Sequence, residues 1–484
     1  MKTSESISKT PIIDFVKGYA GSGMVRFHMP GHKGENANPD RCNYLNKAMP
    51  YDITEIMGAD SLYEAGGIIA ESEKIAGELF GSAATFFSAE GSSQCIRAML
   101  ALATKWGAGC KDEKGVILAA RNVHRAFITA AALLDLDVEW LYPENKKYSL
   151  CRCFISAEQV KEKLERNRDK IAAVYITSPD YLGGMQDVKA LADAAHEYGV
   201  PLLVDNAHGA YLHFLEHSLH PLDLGADMCC DSAHKTLPAL TGCAYLHVGK
   251  NGLAGFSEKI IPNAKAALSM FGSTSPSYIL LQSLDSLNAV LNEEWVKSLK
   301  ECVEEVSKTK EVLRKMGWKL AEDEEQVPAE PMKITLSLKG RGCSGHELAE
   351  FLRKEMIECE YADPDYVVLM PTPSNKKKDF RKLIEAMTEL EKCAAADIMF
   401  QSEKLNEEQE NAVIKPEKAM SIRQAMFSEK ESLPAHLAAG RVLADAAISC
   451  PPAVPVIICG ERIDSMAVKL LEKYKIEDVF VVKE

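Results

Sequence analysis

The sequence lacks paired cysteines, although it contains fourteen of them in 484 residues. Cys229 and Cys230 are adjacent and Cys151 and Cys153 are separated by one residue, but no C-x-x-C pair occurs. Zinc frameworks and redox-active dithiols depend on such paired spacings. The sequence therefore predicts a protein with no metal site, whose thiols stay reduced in a cytoplasmic location.

Long apolar segments are also missing. The N-terminus, MKTSESISKTPIIDF, has no uninterrupted hydrophobic stretch, and no later segment offers about twenty apolar residues free of charge. We therefore expect neither an export signal nor an association with membranes through a spanning helix.

A basic excess is absent as well, because 70 acidic residues outnumber 56 basic ones and give a formal net charge of -14. Nucleic-acid binding depends on a basic surface, so nucleic acid is disfavoured as a partner. The charge is compatible with a small cationic substrate, and equally with a plain contribution to solubility.

What the sequence does contain is a long alternation of short apolar runs and amphipathic helical patterns, which predicts a parallel sheet with crossover helices. In such sheets ligands collect at the carboxyl ends of the strands. The length predicts several domains. We expect an N-terminal arm over residues 1–50, a large domain over 51–325, a small α/β domain over 326–401 and a C-terminal domain over 402–484. In the last of these, PPAVPVIICGERI and IEDVFVVKE are predicted to form strands.

Two of the predicted strand ends carry groups suited to one cofactor. Asp205 ends the apolar run PLLVDNA, and Lys235 follows the next run in DSAHKT. A lysine that forms a Schiff base and a carboxylate that keeps a pyridine nitrogen protonated are what pyridoxal 5′-phosphate requires. Each residue alone could equally belong to a structural ion pair.

The phosphate of such a cofactor needs hydrogen-bond donors at the start of a helix. The segment EGSSQ offers Gly91, Ser92 and Ser93 at the beginning of a predicted helix. Ser232 and His234, just before Lys235, could add further contacts. The same serines could also be ordinary helix caps.

Several further segments carry information together. They are SAHKT around Lys235, DNAHGAYLHF around Asp205, RNVHRAF around His124, FHMPGHKG, ADSLYEAGGIIAESEKIAGELFG, FFSAEGSS, STSPSY and, near the C-terminus, CPPAVPVIICGERI. In combination they resemble the Orn/Lys/Arg decarboxylase family of bacterial pyridoxal-phosphate enzymes. The resemblance implies an α/β fold-type-I enzyme, with a mostly parallel sheet in a large domain flanked by helices and smaller α+β C-terminal domains. It also implies the shorter form of the family, without an N-terminal wing domain.

Carried over by position, the resemblance assigns a role to twelve residues. Lys235 would form the Schiff base, Asp205 would pair with the pyridine nitrogen, His124 would stack on the ring and His208 would lie beside it. The phosphate would be held by Gly91, Ser92, Ser93, Ser232 and His234, and by Thr274 or Ser275 reaching from one subunit of a homodimer, or higher homo-oligomer, to the next. Glu461 would lie near the distal amine of the substrate.

The implied activity is decarboxylation of a basic amino acid, namely arginine, lysine or ornithine, to a diamine or polyamine precursor. His124 and Lys235 are both candidates for returning a proton to Cα, and the sequence does not choose between them. Two alternatives remain open. The first is a fold-type-I aminotransferase or another pyridoxal-phosphate enzyme, and the second is a non-catalytic regulatory relative.

The sequence departs from the family pattern at three places. Asn206 stands where the family commonly has glutamate, which is expected to remove a carboxylate beside the cofactor ring. Ala453 stands where the family commonly has glycine after two prolines, although alanine takes a positive φ less easily. The segment SPDYLGG, residues 178–184, also differs from the usual Pro-Thr-Tyr. These departures leave the predicted cofactor apparatus intact and bear on the choice of substrate.

Three histidines, His213, His217 and His220, have a spacing that could suggest metal ligands. No cysteine and no paired carboxylate accompanies them at ligand spacing, so we interpret them as polar residues of a loop that follows a strand.

Overall fold

The structure is a computed structural model that describes residues 8–35, 43–107, 115–143, 150–167, 169–325, 328–395, 415–445 and 453–484. The chain divides into two compact units. The first comprises Met1–Gly109 and Ala195–Trp295, and the second comprises Cys110–Ala194 and Val296–Glu484. Residues 402–411, at the start of the predicted C-terminal domain, lie outside the described residues, and the predicted domain boundaries stay a prediction.

The elements are numbered along the chain. Those of the first unit are α1 (Pro11–Ala20), α2 (Asn43–Asn46), α3 (Ile68–Leu79), β1 (Ala84–Ser88), α4 (Gly91–Leu102), β5 (Leu202–Asp205), β6 (Met228–Asp231), α8 (Ala233–Thr236), β7 (Ala244–Val248), α9 (Phe256–Ile260), α10 (Ala264–Ser269) and α11 (Tyr278–Val290).

Those of the second unit are β2 (Val116–Ala120), α5 (Arg125–Leu134), β3 (Asp137–Leu141), α6 (Ala157–Asn167), β4 (Ile171–Thr177), β8 (Lys319–Leu320), α13 (Ala321–Glu325), β9 (Ile334–Ser337), α14 (Gly345–Lys354), β10 (Tyr361–Ala362), β11 (Tyr366–Leu369), α15 (Lys377–Ala395), α16 (Ile422–Met426), β12 (Lys430–Pro434), α17 (Ser465–Lys473) and β13 (Asp478–Val482). Two helices, α7 (Val188–Glu197) and α12 (Glu293–Lys315), contain residues of both units.

Four strands of the first unit pair in the order β1-β7-β6-β5. β5 and β6 are parallel, whereas β7 is antiparallel to both β6 and β1. Every residue of β5 and β6 is buried, as expected for strands covered on both faces. Because β1, β5 and β6 run in the same direction, their last residues Ser88, Asp205 and Asp231 end at the same edge.

The second unit contains three parallel strands in the order β4-β2-β3. It also contains an antiparallel sheet in the order β10-β11-β9-β8 and an antiparallel pair formed by β12 and β13. Across both units, the mixture of parallel strands and helices and the smaller antiparallel sheets agree with the predicted α/β class.

One predicted strand is wrong. The described part of PPAVPVIICGERI, from Ala453 onward, forms no named strand, and its only pairings in the described chain are isolated bridges at Glu461 and Arg462. Proline has no N–H to donate to a ladder, and Pro455 interrupts this segment. The other predicted C-terminal strand is present as β13.

The N-terminal helix α1 is anchored to α11 by a buried acid. Asp285 accepts hydrogen bonds from the Ile13 amide at 2.9 Å and from the Ser72 hydroxyl at 2.5 Å, and its side chain has no solvent exposure. Burial raises the pKa of Asp285 to about 6, although Ser72 and the backbone amides oppose the shift. This acid therefore lies where its charge is poorly stabilised at neutral pH.

The ten cysteines whose side chains the structure describes are free thiols, and all except the partly exposed Cys359 are buried. Burial raises the pKa of these thiols, to about 11 for Cys153 and about 12 for Cys95. In the described part of the chain, no helix is both long and apolar enough to span a bilayer.

Candidate active site

A buried carboxylate ends strand β5. The apolar residues Leu202 to Val204 carry the chain through the interior to Asp205, which is 2% exposed. Its Oδ1 accepts the Ala207 amide at 3.2 Å and lies 3.6 Å from the Cys230 thiol of β6. The carboxylate is therefore fixed at the edge where ligands collect in this class of sheet.

The predicted lysine approaches the same strand end. Lys235 lies on the short helix α8 that follows β6, and its Nζ is 3.0 Å from Nε2 of His208. His208 is buried and stands three positions after Asp205. The structure thus brings together Lys235, His208 and the loop that begins at Asp205, and their roles at a cofactor stay predictions.

Two hydroxyls meet at the beginning of α4. Ser232 Oγ donates to Ser92 Oγ at 2.7 Å. Gly91 has φ of 71°, which glycine adopts without strain, and its amide donates to the Gly242 carbonyl at 2.8 Å. Ser93 lies in the same first turn. Serine hydroxyls at the start of a twelve-residue helix suit a phosphate group, because the N-terminus of a helix favours negative charge.

The other predicted phosphate ligands have different hydrogen-bond partners. The ring of His234 is held by the Cys243 carbonyl, 3.0 Å from Nδ1. Thr274 and Ser275 are exposed in the loop before α11, where the Ser275 amide donates to the Ser273 hydroxyl. Their contacts with a phosphate stay predictions.

In the second unit, His124 lies between β2 and α5. It is the N-cap of α5, and its Nδ1 accepts the Ala126 amide at 3.0 Å. One ring nitrogen is therefore committed to the helix, which fixes the orientation of the imidazole.

Glu461, also in the second unit, is occupied by protein groups. Its Oε2 accepts Arg121 Nη2 at 2.9 Å and the Ile458 amide at 2.7 Å. Burial raises the pKa of Glu461, and Arg121 opposes that shift. The carboxylate is 4% exposed, so a substrate amine would have to compete with Arg121 for it.

The sequence analysis missed Asp231, which ends β6 directly before Ser232. Its Oδ2 is 3.0 Å from His220 Nε2 and 3.3 Å from His247 Nε2, and all three side chains are fully buried. Burial alone would raise the pKa of Asp231, but the two imidazoles outweigh it and hold the pKa well below its ordinary value. The position of Asp231 immediately before the serine of DSAHKT is the sequence signal that could have identified it.

The structure also gives Asn206 a task that differs from the expected one. The Asn206 side chain has no solvent exposure, and its Nδ2 donates to Asp231 Oδ1 at 2.7 Å. Consecutive residues at a strand end point to opposite sides. Asn206 therefore binds the carboxylate of Asp231, a residue that the sequence analysis had not considered.

Two of the three loop histidines come together, since ligand-type atoms of His213, His220 and Asp223 lie within 4.8 Å of one another. His213 pairs with Asp223 at 2.7 Å, His220 also pairs with Asp231, and His217 is exposed. The ligand-type atoms of His220, Asp231 and His247 lie within 4.8 Å of one another, with hydrogen-bond distances between them. We interpret this cluster as a charge network beneath the Lys235 turn.

Comparison with known proteins gives a consistent result along the chain. The family described as "Orn/Lys/Arg decarboxylase, major domain" matches residues 10–322, and "Orn/Lys/Arg decarboxylase, C-terminal domain" matches residues 399–477. The arginine decarboxylase of Bacillus subtilis (strain 168) is 30% identical over 469 residues, which is 94% of this chain and 91% of that protein. An arginine decarboxylase of Bacillus cereus is 29% identical over 93% of this chain and 96% of its own length.

Solved structures agree on the fold. The constitutive lysine decarboxylase of E. coli has a TM-score of 0.76 at 19% identity, covering 98% of this chain and 82% of that one. A lysine decarboxylase of Francisella novicida has a TM-score of 0.77 at 16% identity, covering 98% and 81%. The predicted fold-type-I class and the predicted dependence on pyridoxal 5′-phosphate are confirmed.

Proposed function

Because this chain belongs to the Orn/Lys/Arg decarboxylase family, and is a pyridoxal-phosphate-dependent decarboxylase of basic amino acids, we propose that its substrate is arginine. The relatives named arginine decarboxylase support this choice, since they match more than nine-tenths of the chain. Lysine and ornithine are the competing substrates that the experiment below separates.

The observation that carries the proposal is the approach of Lys235 to His208 at the end of β5, where Asp205 is buried. We propose that Lys235 Nζ and Asp205 hold the cofactor ring, and that Ser92, Ser93, Ser232 and His234 hold its phosphate. When bound, pyridoxal 5′-phosphate withdraws electrons from Cα of the amino acid, so that the bond to the carboxylate can break.

The residues of this chain then have distinct tasks. Asp205 would keep the ring nitrogen protonated, because a buried negative charge beside that nitrogen favours its protonated form. His208 Nε2, 3.0 Å from Lys235 Nζ, is in hydrogen-bond reach to accept or return a proton of the lysine nitrogen. His124 would orient the ring by stacking, and either His124 or Lys235 would return the proton to Cα.

We further propose a homodimer, in which Thr274 or Ser275 reaches the neighbouring subunit's phosphate. The exposure of both residues in the loop before α11 is compatible with this role. A cytoplasmic location is proposed because the ten described cysteines are reduced thiols, as expected in a reducing compartment.

The test is a turnover assay of the purified holoenzyme with arginine, lysine and ornithine, in which released CO2 and the product amine are both measured. We expect CO2 and agmatine from arginine, with a kcat/KM at least tenfold above that for lysine or ornithine. Preference for either of the other amino acids would overturn the substrate assignment. Absence of CO2 with all three would overturn the arginine proposal and exclude lysine and ornithine as well.

A further inference from the structure

We propose that Glu461 is a positioning residue that fixes the His124 loop, here defined as residues 121–125, through its ion pair with Arg121. The inference rests on the proposed function, which places His124 at the cofactor. It assigns the C-terminal segment 453–463 a part in catalysis without direct contact to the substrate.

The His124 loop is bound to the C-terminal segment on both sides of the histidine. Arg121, three positions before it, donates to Glu461 at 2.9 Å. Arg125, one position after it, donates its backbone amide to the Ala453 carbonyl at 2.8 Å. Two attachments that flank one residue restrict its position more than either does alone.

The loop makes further contacts within the same unit, including a hydrogen bond between the Arg121 side chain and Tyr142. Asn122 Nδ2 donates to the Cys151 carbonyl at 3.0 Å, and the Arg121 amide points to Cys153 Sγ at 3.3 Å. Both partners lie in the stretch that precedes α6. The C-terminal segment contacts the loop at two other atoms: Glu461 binds Arg121 Nη2, and the Ala453 carbonyl binds the Arg125 amide.

The ion pair is buried, with side-chain exposures of 11% for Arg121 and 6% for Glu461. A buried pair contributes little net stability, but the loss of one partner leaves an uncompensated charge and moves the other. Arg121 also lies over the Trp140 ring, 5.4 Å from its centroid. The guanidinium thus contacts Trp140, Tyr142 and Glu461, which together restrict its orientation.

The second attachment depends on an uncommon backbone conformation. Ala453 has φ of 59°, a region that residues other than glycine rarely adopt. This conformation directs its carbonyl to the Arg125 amide. Strained residues of this kind persist where the surrounding structure fixes them, often close to functional sites.

The first experiment compares Glu461→Gln with the wild-type holoenzyme. We expect kcat for arginine to fall about ten- to a hundredfold, because a small misplacement of an orienting group costs that much. We expect KM to change less than about threefold and the visible circular dichroism of the bound cofactor to change, since the ring contact is altered. A rise in KM with unchanged kcat and spectrum would make Glu461 a substrate ligand and overturn the proposal.

The matched control is Asp365→Asn, which removes a comparable ion pair of the same unit, Lys473 to Asp365 at 2.7 Å. It should leave kcat and the cofactor spectrum unchanged. Arg121→Gln should reproduce the Glu461→Gln effect, and the double variant should be no worse than either single one. Additive losses would overturn the pairing.

Hydrogen exchange of the amides in residues 121–126 provides a readout that needs neither turnover nor cofactor. Exchange should rise in Glu461→Gln and Arg121→Gln and stay at the wild-type level in Asp365→Asn. Unchanged exchange in all variants would overturn the positioning role. Failure of the wild type to decarboxylate would instead refute only the proposed function.

Discussion

Asn206 and Asp231 form a hydrogen bond of 2.7 Å between two side chains that have no solvent exposure. Each stands next to a predicted cofactor residue, since Asn206 follows Asp205 and Asp231 precedes Ser232. The bond therefore joins the ends of β5 and β6. It also explains why an amide suits this position, because Asp231 already carries a negative charge.

Replacing that amide by an acid tests this relationship. In Asn206→Asp, two buried carboxyl groups share one site, so the pKa of the new group is raised by burial and by Asp231. The free energy of unfolding should fall by roughly 1–3 kcal/mol at pH 7.5. Because the raised pKa favours the protonated folded form, the loss should shrink as the pH is lowered towards 4.

Urea denaturation at several pH values measures this effect. The exposed Asn251→Asp in the same unit is the control and should behave like the wild type. A loss that does not depend on pH would argue against carboxylate repulsion as the cause.

Replacing Asp285, the acid of α11 that binds α1, should have the opposite effect on the free energy of unfolding. Burial raises the pKa of Asp285 to about 6 from its ordinary 3.8. The folded protein thus binds more protons than the unfolded chain in this range, and the associated stability is lost as the pH rises through about 6. Asp285→Asn should raise the free energy of unfolding by roughly 1–3 kcal/mol at pH 7.5.

The check is a series of unfolding curves from pH 4 to 8 for the wild type and Asp285→Asn. The variant should gain most above pH 6 and little near pH 4. The exposed Asp193→Asn is a suitable control. A variant that is less stable at pH 7.5 would show that the hydrogen bonds outweigh the cost of the charge.

Ala453→Gly should stabilise the protein by about 0.5–1 kcal/mol, since glycine adopts a positive φ without the steric cost paid by alanine. The control is Ala48→Gly, where φ is -85° and glycine should instead destabilise by about the same amount. Thermal unfolding of both variants measures the difference. A fall in stability for Ala453→Gly would mean that the unfolded-state entropy dominates.

Lys235→Ala should remove the visible absorbance band of the lysine-bound cofactor and abolish turnover, because no other amine replaces Nζ. The exposed Lys250→Ala should retain both. Absorbance spectra of the purified proteins, before and after addition of pyridoxal 5′-phosphate, provide the measurement. A normal band in Lys235→Ala would remove Lys235 from the site.

Ser92→Ala should weaken cofactor binding about ten- to a hundredfold, the cost of one hydrogen bond to a charged group. Titration of the cofactor-free protein with pyridoxal 5′-phosphate, followed by absorbance, gives the dissociation constant. The exposed Ser269→Ala is the control, because Ser269 bonds only the Ala266 carbonyl in the described contacts. An unchanged constant for Ser92→Ala would show that other groups hold the phosphate.

The sequence permitted the prediction of Asp205 and Lys235 because each follows a fully buried apolar run. The position of a strand end is a local property, and local patterns can be read directly. The pairing of Ser92 with Ser232 followed from the resemblance, which placed both near one phosphate.

Other relationships depend on contacts that no local pattern encodes. Arg121 and Glu461 are separated by 340 residues, so nothing in either segment indicates the other. The Asp231 network draws its histidines from a loop and from β7. The strand predicted after Pro451 was wrong because its apolar residues pack in a proline-interrupted segment that cannot form a ladder.

The burial of the cysteines has a practical consequence. A thiol reacts as the thiolate, and burial raises the pKa of all ten thiols, Cys359 included, but nine of them are also inaccessible whereas Cys359 is partly exposed. A thiol reagent added to the native enzyme should therefore modify Cys359 ahead of these nine, and the later modifications should follow the opening of the fold. The native cysteines can therefore report on unfolding without an added label. The order in which they become modified would give the order in which the parts of the protein unfold.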